Sequence, residues 1–170
     1  VEILRTERLI LREITVDDAD FALDLLNQPS FIKYIGDRGV RTAEQSRDFI
    51  ENRYRKSYHD HGYGLYVVEL KENGSPVGIC GFVRRDTLPA PDVGFAFLPH
   101  YEKKGYGFES AEAVMRYGHE KLNFERVLAI TSLDNEASGK LLLKLGFVFD
   151  KIIDTPEGEK LNLYSFSYSG

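Results

Sequence analysis

Residues 101–110, "YEKKGYGFES", set Gly105 and Gly107 one residue apart, with Lys103 and Lys104 in front and a helix-period segment behind. Glycine lets a backbone turn tightly or come close to a ligand. A helix start adds unpaired N–H groups and the positive end of a dipole, and that combination holds phosphate. The two lysines raise the positive charge locally in a chain of net charge −5. The rival reading is a plain turn into a helix. A G-x-G-x-x-G dinucleotide fingerprint does not fit, because Ser110 holds the sixth position and residues 99–104 separate the glycines from the preceding strand. No G-x-x-x-x-G-K-[ST] run occurs anywhere.

The elements around this loop follow from local patterns. "RLILREI" alternates apolar and charged residues and predicts a strand. Thr15 with Asp18 makes a capping pattern that opens "VDDADFALDLLN", which Pro29 ends, and a short helical turn is expected over "SFIKYI". Thr42 with Gln45 opens "AEQSRDFIENRYRKSYHDH", where Phe49, Ile50, Tyr54 and Tyr58 share one face. "GLYVVEL" and "PVGICGFVRR" are strands joined at "KENGS", a hairpin signal because Asn-Gly supplies positive φ. "DVGFAFL" is a third strand, directly before the glycine loop. The helix behind the loop, "FESAEAVMRYGHEKL", carries a stripe of Ala111, Val114, Met115, Gly118 and Leu122. After the strand "RVLAITS", "NEASGKLLLKLG" predicts a helix with Ala137, Leu141 and Leu145 inward and Gly146 as its cap. "FVFDKIID" and "LNLYSFSYS" close the chain as a hairpin. The order implies a mixed α/β sheet rather than a doubly wound parallel one.

At 170 residues and 42% hydrophobic, the chain fits a single domain over 1–170 with a real core. No apolar run is long enough for a bilayer, and no membrane partner is expected. The opening "VEILRTERLILRE" carries charges within its apolar run, so no signal peptide is expected. Cys80, the single cysteine, fits a reducing, cytoplasmic setting and a buried structural role. The excess of 27 Asp and Glu over 22 Lys and Arg argues against direct nucleic-acid binding. His59 and His61 lack further partners at metal spacing, and no metal is expected.

Three stretches together resemble the GCN5-related N-acetyltransferase (GNAT) superfamily, and within it the ribosomal-protein N-acetyltransferase (RimJ/RimL-like) branch. They are the opening "LRTERLILREITVDDAD", the strand, loop and helix "DVGFAFLPHYEKKGYGFESAEAV", and "NEASGKLLLKLGF". The resemblance runs through essentially the whole chain. It implies the GNAT fold, a mostly antiparallel central sheet flanked by helices, and transfer of acetyl from acetyl-CoA to a primary amine. The amine would belong to a protein N-terminus or a small molecule, and the protein would be a monomer or a homodimer, final-hairpin pairing being one dimer route.

Residue by residue, the resemblance assigns the CoA pyrophosphate to backbone N–H groups at Lys104, Gly105, Tyr106 and Gly107, reaching Phe108 and Glu109, with Lys103 adding charge. It assigns the pantetheine arm and thioester oxygen to the strand at Phe95, Phe97 and Leu98, and the arm or acetyl end also to Asn135. Ser138 would sit by the thioester sulfur as the acid candidate, because Leu142 stands where the wider superfamily often has a tyrosine acid. Asp92 is the first candidate base, with Glu69 and the His59/His61 pair as alternatives. Lys103 and Phe108 stand where the branch has smaller residues, and Glu102 where the superfamily often has Gln or Arg. The acceptor would depend on loops near residues 30–40, 58–64 and 84–91 and on the final hairpin, none of which carries a readable code. A non-catalytic acyl-CoA-binding module of the same fold is the alternative function.

Overall fold

In the computed structural model, residues 1–168 are described, and the expected final strand reaches one residue past them, to Ser169. Eight strands form one sheet in the order β1-β2-β3-β4-β5-β6-β8-β7. They are β1 (Glu2–Arg5), β2 (Leu9–Glu13), β3 (Leu65–Leu70), β4 (Pro76–Val83), β5 (Asp92–Phe97), β6 (Arg126–Ser132), β7 (Val148–Asp154) and β8 (Lys160–Ser167). Every neighbouring pair is antiparallel except β5 and β6. The mixed α/β expectation therefore holds, with one strand added at the front. The four residues of β1 escape a pattern reading because they form a short edge strand with no fully buried side chain.

Helices cover both faces. One face carries α1 (Ala19–Leu26), α2 (Pro29–Tyr34), α3 (Ala43–Phe49) and α4 (Lys56–His61). Both capping patterns close as expected: Thr15 N–H donates to Asp18 Oδ2 at 2.9 Å, and Gln45 N–H donates to Thr42 Oγ1 at 3.1 Å. A wide π-type turn at Ile50–Arg55 joins α3 to α4. This face buries Leu25, Leu26, Phe31, Ile50, Val67 and Ile79. The opposite face carries α5 (Tyr106–Glu120) and α6 (Glu136–Leu145) over Val68, Cys80, Phe82 and Val93.

The α5 stripe falls where expected: Ala111, Val114, Met115 and Gly118 are buried. Gly118 is required there, since a Cβ would lie 2.7 Å from the Phe82 ring. The inward face of α6 is rotated from the expected one. Leu142 and Gly139 are buried, Leu141 and Leu145 pack at the core's margin, and Ala137 is exposed. The reason is Tyr164 of β8, whose hydroxyl would be 2.9 Å from a Cβ at Gly139 and so draws the helix in along that side.

Candidate active site

The one parallel junction in the sheet opens the site. Leu98 N–H donates to Val77 O at 2.9 Å, and the pairs Ile79↔Ala96, Gly81↔Gly94 and Val83↔Asp92 continue that alternation along β5. Antiparallel alternation then turns the N–H and C=O groups of Phe95 and Phe97 the other way, toward β6. Yet β6 meets β5 in register only at Asp92↔Leu128, where Leu128 N–H donates to Pro91 O at 2.9 Å. Beyond that point the strands part. A cleft opens between them, lined by Phe95 and Phe97 on one wall and by Ala129, Thr131 and Ser132 on the other. Of the three β5 residues expected to meet a ligand, Leu98 is the exception: its N–H is taken by Val77, and its carbonyl accepts from Tyr101 N–H at 2.9 Å.

The glycine loop closes one end of this cleft. Gly105 takes φ +86° and Lys103 φ +62°, both left-handed. The first amide of the following helix to find a partner is that of Glu109, which donates to Gly105 O at 3.0 Å. Among the described residues, no acceptor is present for the six amides from Lys103 through Phe108. Such a run of amides, turned by two left-handed residues, makes a concavity for an anion, with the α5 dipole behind it. Glu109 therefore belongs to the frame rather than to the row of free amides. Its carboxylate accepts from Thr6 Oγ1 (2.5 Å), Arg8 N–H (2.9 Å) and Arg8 Nε (2.7 Å). Burial pushes that carboxyl up, but the bonds from Thr6 and Arg8 outweigh it and hold it below the ordinary range. Arg8 also donates to Lys104 O at 3.1 Å and lies 4.5 Å from the centre of the Tyr106 ring. This brace joins residues about a hundred positions apart, and no local pattern announces it.

The two departures in the loop are accommodated. Lys103 is exposed and adopts a left-handed φ. The Phe108 ring lies under Lys144, whose Nζ is 4.3 Å from its centre. Gly107 packs toward α6 and β5, where a Cβ would sit 3.4 Å from Leu141 Cδ1 and 3.8 Å from Phe97.

Asn135 and Ser138 both line the cleft at the start of α6. Asn135 caps that helix, its Oδ1 accepting from Ser138 N–H at 3.2 Å, so its amide NH2 is the group left for a ligand. The Ser138 hydroxyl has no partner among the described residues, and the residue is half-buried. Leu142, a turn further on, is buried in the core and offers no acid.

Asp92 stands at the point where β5 and β6 separate. It is 1% exposed, so it is no solvated loop end, and Arg85 Nε donates to its Oδ1 at 3.0 Å. Burial pushes its carboxyl up to about 6 against the pull of Arg85. Its strand parity puts it on the α1–α4 side of the sheet, with Gly94 and Ala96, whereas Phe95 and Phe97 face α5. The other base candidates are placed less favourably. Glu69 is bound to Arg12 at 2.9 Å and does not line the cleft. His59 is exposed, and His61 lies at the cleft's edge, stacked on Tyr63. The loops near residues 30–38, 60–61 and 84–89 do border the cleft. Among the described residues no helix is long and apolar enough to cross a membrane, and no cluster of three metal-ligating side chains forms.

An open strand edge leading to a row of unpaired amides fits a long chain ending in a phosphate. Comparison with known proteins gives the same direction. The family model of the acetyltransferase (GNAT) domain matches residues 8–148. The chain is 30% identical to the uncharacterized N-acetyltransferase YoaA of Bacillus subtilis, over 85% of this chain and 82% of that protein. It is 25% identical to spermidine N(1)-acetyltransferase of Escherichia coli K12, over 81% and 71% of the two chains. Among solved structures, RimL, a ribosomal L7/L12 alpha-N-protein acetyltransferase in complex with coenzyme A, superposes with a TM-score of 0.84 at 17% identity, covering 98% of each chain.

Proposed function

Because the chain belongs to the GNAT family and is an acetyl-CoA-dependent N-acetyltransferase, we propose that acetyl-CoA lies in the β5–β6 cleft and is attacked directly by a primary amine, with Asp92 as base and Ser138 as acid. The observation that carries this reading is the parting of β5 from β6 just beyond Asp92. It leaves the Phe95 and Phe97 backbone groups to pair with the pantetheine amides, and it leads to the unpaired amides of residues 103–108, which suit a pyrophosphate.

The amine reaches the thioester from the α1–α4 side, where Asp92 stands. Its nitrogen forms a bond to the acetyl carbon, and the C–S bond breaks. The amine's proton passes to Asp92, directly or through water, and the departing thiolate, hydrogen-bonded by the Ser138 hydroxyl, takes its proton from solvent water relayed through that hydroxyl, which is reprotonated in the same step. A thiol of pKa about 8.5 needs little help to leave, so a serine hydroxyl is sufficient there. The amine sets the harder demand: at pH 7 an α-amino group of pKa about 8 is roughly one-tenth neutral, but a lysine of pKa about 10.4 only about 0.04%. A carboxyl held at about 6 is mostly ionised at pH 7 and yet basic enough to accept the proton.

Calorimetry with acetyl-CoA, and thiol release with a panel of amines, test the proposal together. Acetyl-CoA is expected to bind, and thiol release is expected to depend on the amine. Thiol release with Ser138→Ala should fall about tenfold while acetyl-CoA affinity stays close to that of the wild type. Binding without amine-dependent release from any amine would favour the non-catalytic module instead.

A further inference from the structure

The acceptor side of the cleft is built around arginines. Arg38 comes from the loop between α2 and α3, Arg53 from the π-type turn, and Arg85 from the loop between β4 and β5, and all three line the cleft. Among the described residues neither Arg38 nor Arg53 has a carboxylate within 4.0 Å. Arg85 uses Nε on Asp92, and among the described residues both its terminal nitrogens have no hydrogen-bond partner. The Arg38 guanidinium is held below the ordinary arginine range, chiefly by burial. Tyr54 opposes that change, and the neighbouring charges of Arg85 and Arg53 add to it. No carboxylate is among the groups acting on it. Tyr54 also lines this cleft, close enough to Arg38 and Arg53 to feel both charges, and its hydroxyl has no hydrogen-bond partner among the described residues.

Three guanidinium groups thus share one wall of the cleft, and of the three only Arg85 is matched by a carboxylate, that of Asp92, among the described residues. Guanidinium forks match oxyanions in geometry as well as charge. Arg85 lies one side chain from the Asp92 carboxylate, so an anion on these arginines sits a short distance from the amine that Asp92 would serve.

Resting on the acetyltransferase reading above, we propose that the acceptor is a small amine carrying its own oxyanion, a carboxylate or a phosphate. Arg38, Arg53 and the free donors of Arg85 hold the oxyanion while the amine faces Asp92. The same wall repels a polyamine. The acceptor named for the Escherichia coli relative, spermidine, is therefore a poor fit for this chain.

The test uses four amines: ethylamine, glycine, phosphoethanolamine and spermidine. Thiol release should be roughly tenfold to a hundredfold more efficient, in kcat/KM, with glycine or phosphoethanolamine than with ethylamine. Spermidine should be no better than ethylamine. The ranking of glycine against phosphoethanolamine identifies which oxyanion the site prefers. In Arg38→Ala/Arg53→Ala the preference for the anionic amines over ethylamine should collapse toward one, chiefly through KM, and Arg38→Lys/Arg53→Lys should restore part of it. Equal efficiency with ethylamine, or a preference for spermidine, would overturn the proposal while leaving the acetyltransferase reading intact. If no amine is acetylated, that reading fails instead, and calorimetry of glycine and phosphoethanolamine on CoA-loaded protein decides the anion site. Binding lost in the double alanine variant supports it, and the absence of binding to the wild type refutes it.

Discussion

The two sides of the β5–β6 cleft are made of different material. The side we assign to the CoA moiety is backbone: the edge of β5 and six unpaired amides, all within residues 95–108. The side we assign to the acceptor is side chain: Arg38, Arg53, Tyr54, Arg85 and Asp92, carried by two loops, a helical turn and the first residue of β5. A site made of backbone needs a chain path and tolerates varied side chains along it, as Lys103 and Phe108 illustrate. A site made of side chains depends on each residue's identity. The difference predicts where substitution is costly and in which kinetic parameter the cost appears.

The largest effect belongs to Asp92→Asn, on the side-chain half. Turnover should drop by about 10²–10⁴ while acetyl-CoA affinity is nearly retained. In the wild type, kcat/KM should rise with pH through about 6, because below that Asp92 is protonated and holds no base capacity. Stability has the opposite sign. A carboxyl at about 6 when folded, against the ordinary 3.8, binds a proton more tightly in the folded state. Its contribution is present below about pH 4 and is lost as pH rises to about 6. Urea midpoints of wild type minus variant, measured between those values, should fall with pH. Undiminished turnover in the variant would remove Asp92 from the chemistry.

How much of each half can be read from sequence follows from the same contrast. Gly105 and Gly107 behind a strand closed off by Pro99 announce the loop, because a left-handed turn before a helix leaves a local composition. The strands and both capping boxes are legible for the same reason. The parting of β5 and β6 is a long-range event that no local pattern announces, and the resemblance to a known family led only as far as assigning the pantetheine arm to Phe95, Phe97 and Leu98. Arg38, Arg53 and Arg85 look like ordinary surface arginines in sequence, since nothing within a few residues of any of them marks a common wall. The inward face of α6 was misjudged for a related reason: Tyr164, distant in sequence, fixes that helix at Gly139. The Thr6–Arg8–Glu109 brace is equally silent, and Glu109 read alone joins the loop's amides rather than the frame behind them.

On the backbone half, Gly105→Ala should be the costly change. The residue sits at φ +86°, and a Cβ there would lie 3.1 Å from Arg8 Nη2. Left-handed backbone costs a residue with a Cβ about 1–2 kcal/mol, and relief of that strain would turn the amides out of line. Acetyl-CoA affinity, measured by calorimetry, should weaken about tenfold while kcat at saturation is largely kept. Phe108→Ser serves as the contrast, because the residue offers the loop its backbone amide while its ring packs under Lys144, and affinity should stay within about twofold of the wild type. A larger loss from Phe108→Ser than from Gly105→Ala would mean that side chains, not chain path, define this half.

The smallest effect is expected behind the loop, at Glu109→Gln. The amide keeps the shape and loses the charge that binds Arg8, and Arg8 is substantially exposed, so the ion pair contributes only about 0–1 kcal/mol. Acetyl-CoA affinity should weaken by no more than about threefold. The informative readout is pH. Glu109 is held below its ordinary range, so its contribution is present above the unfolded pKa and disappears as pH falls through the lower folded one. That slope runs opposite to the one at Asp92. Urea midpoints of wild type minus Glu109→Gln should therefore rise with pH below about 4.5, whereas those of wild type minus Asp92→Asn fall between about pH 4 and 6. Two slopes of the same sign would mean that the carboxylate bracing the backbone half and the one buried in the side-chain half do not differ as their surroundings dictate.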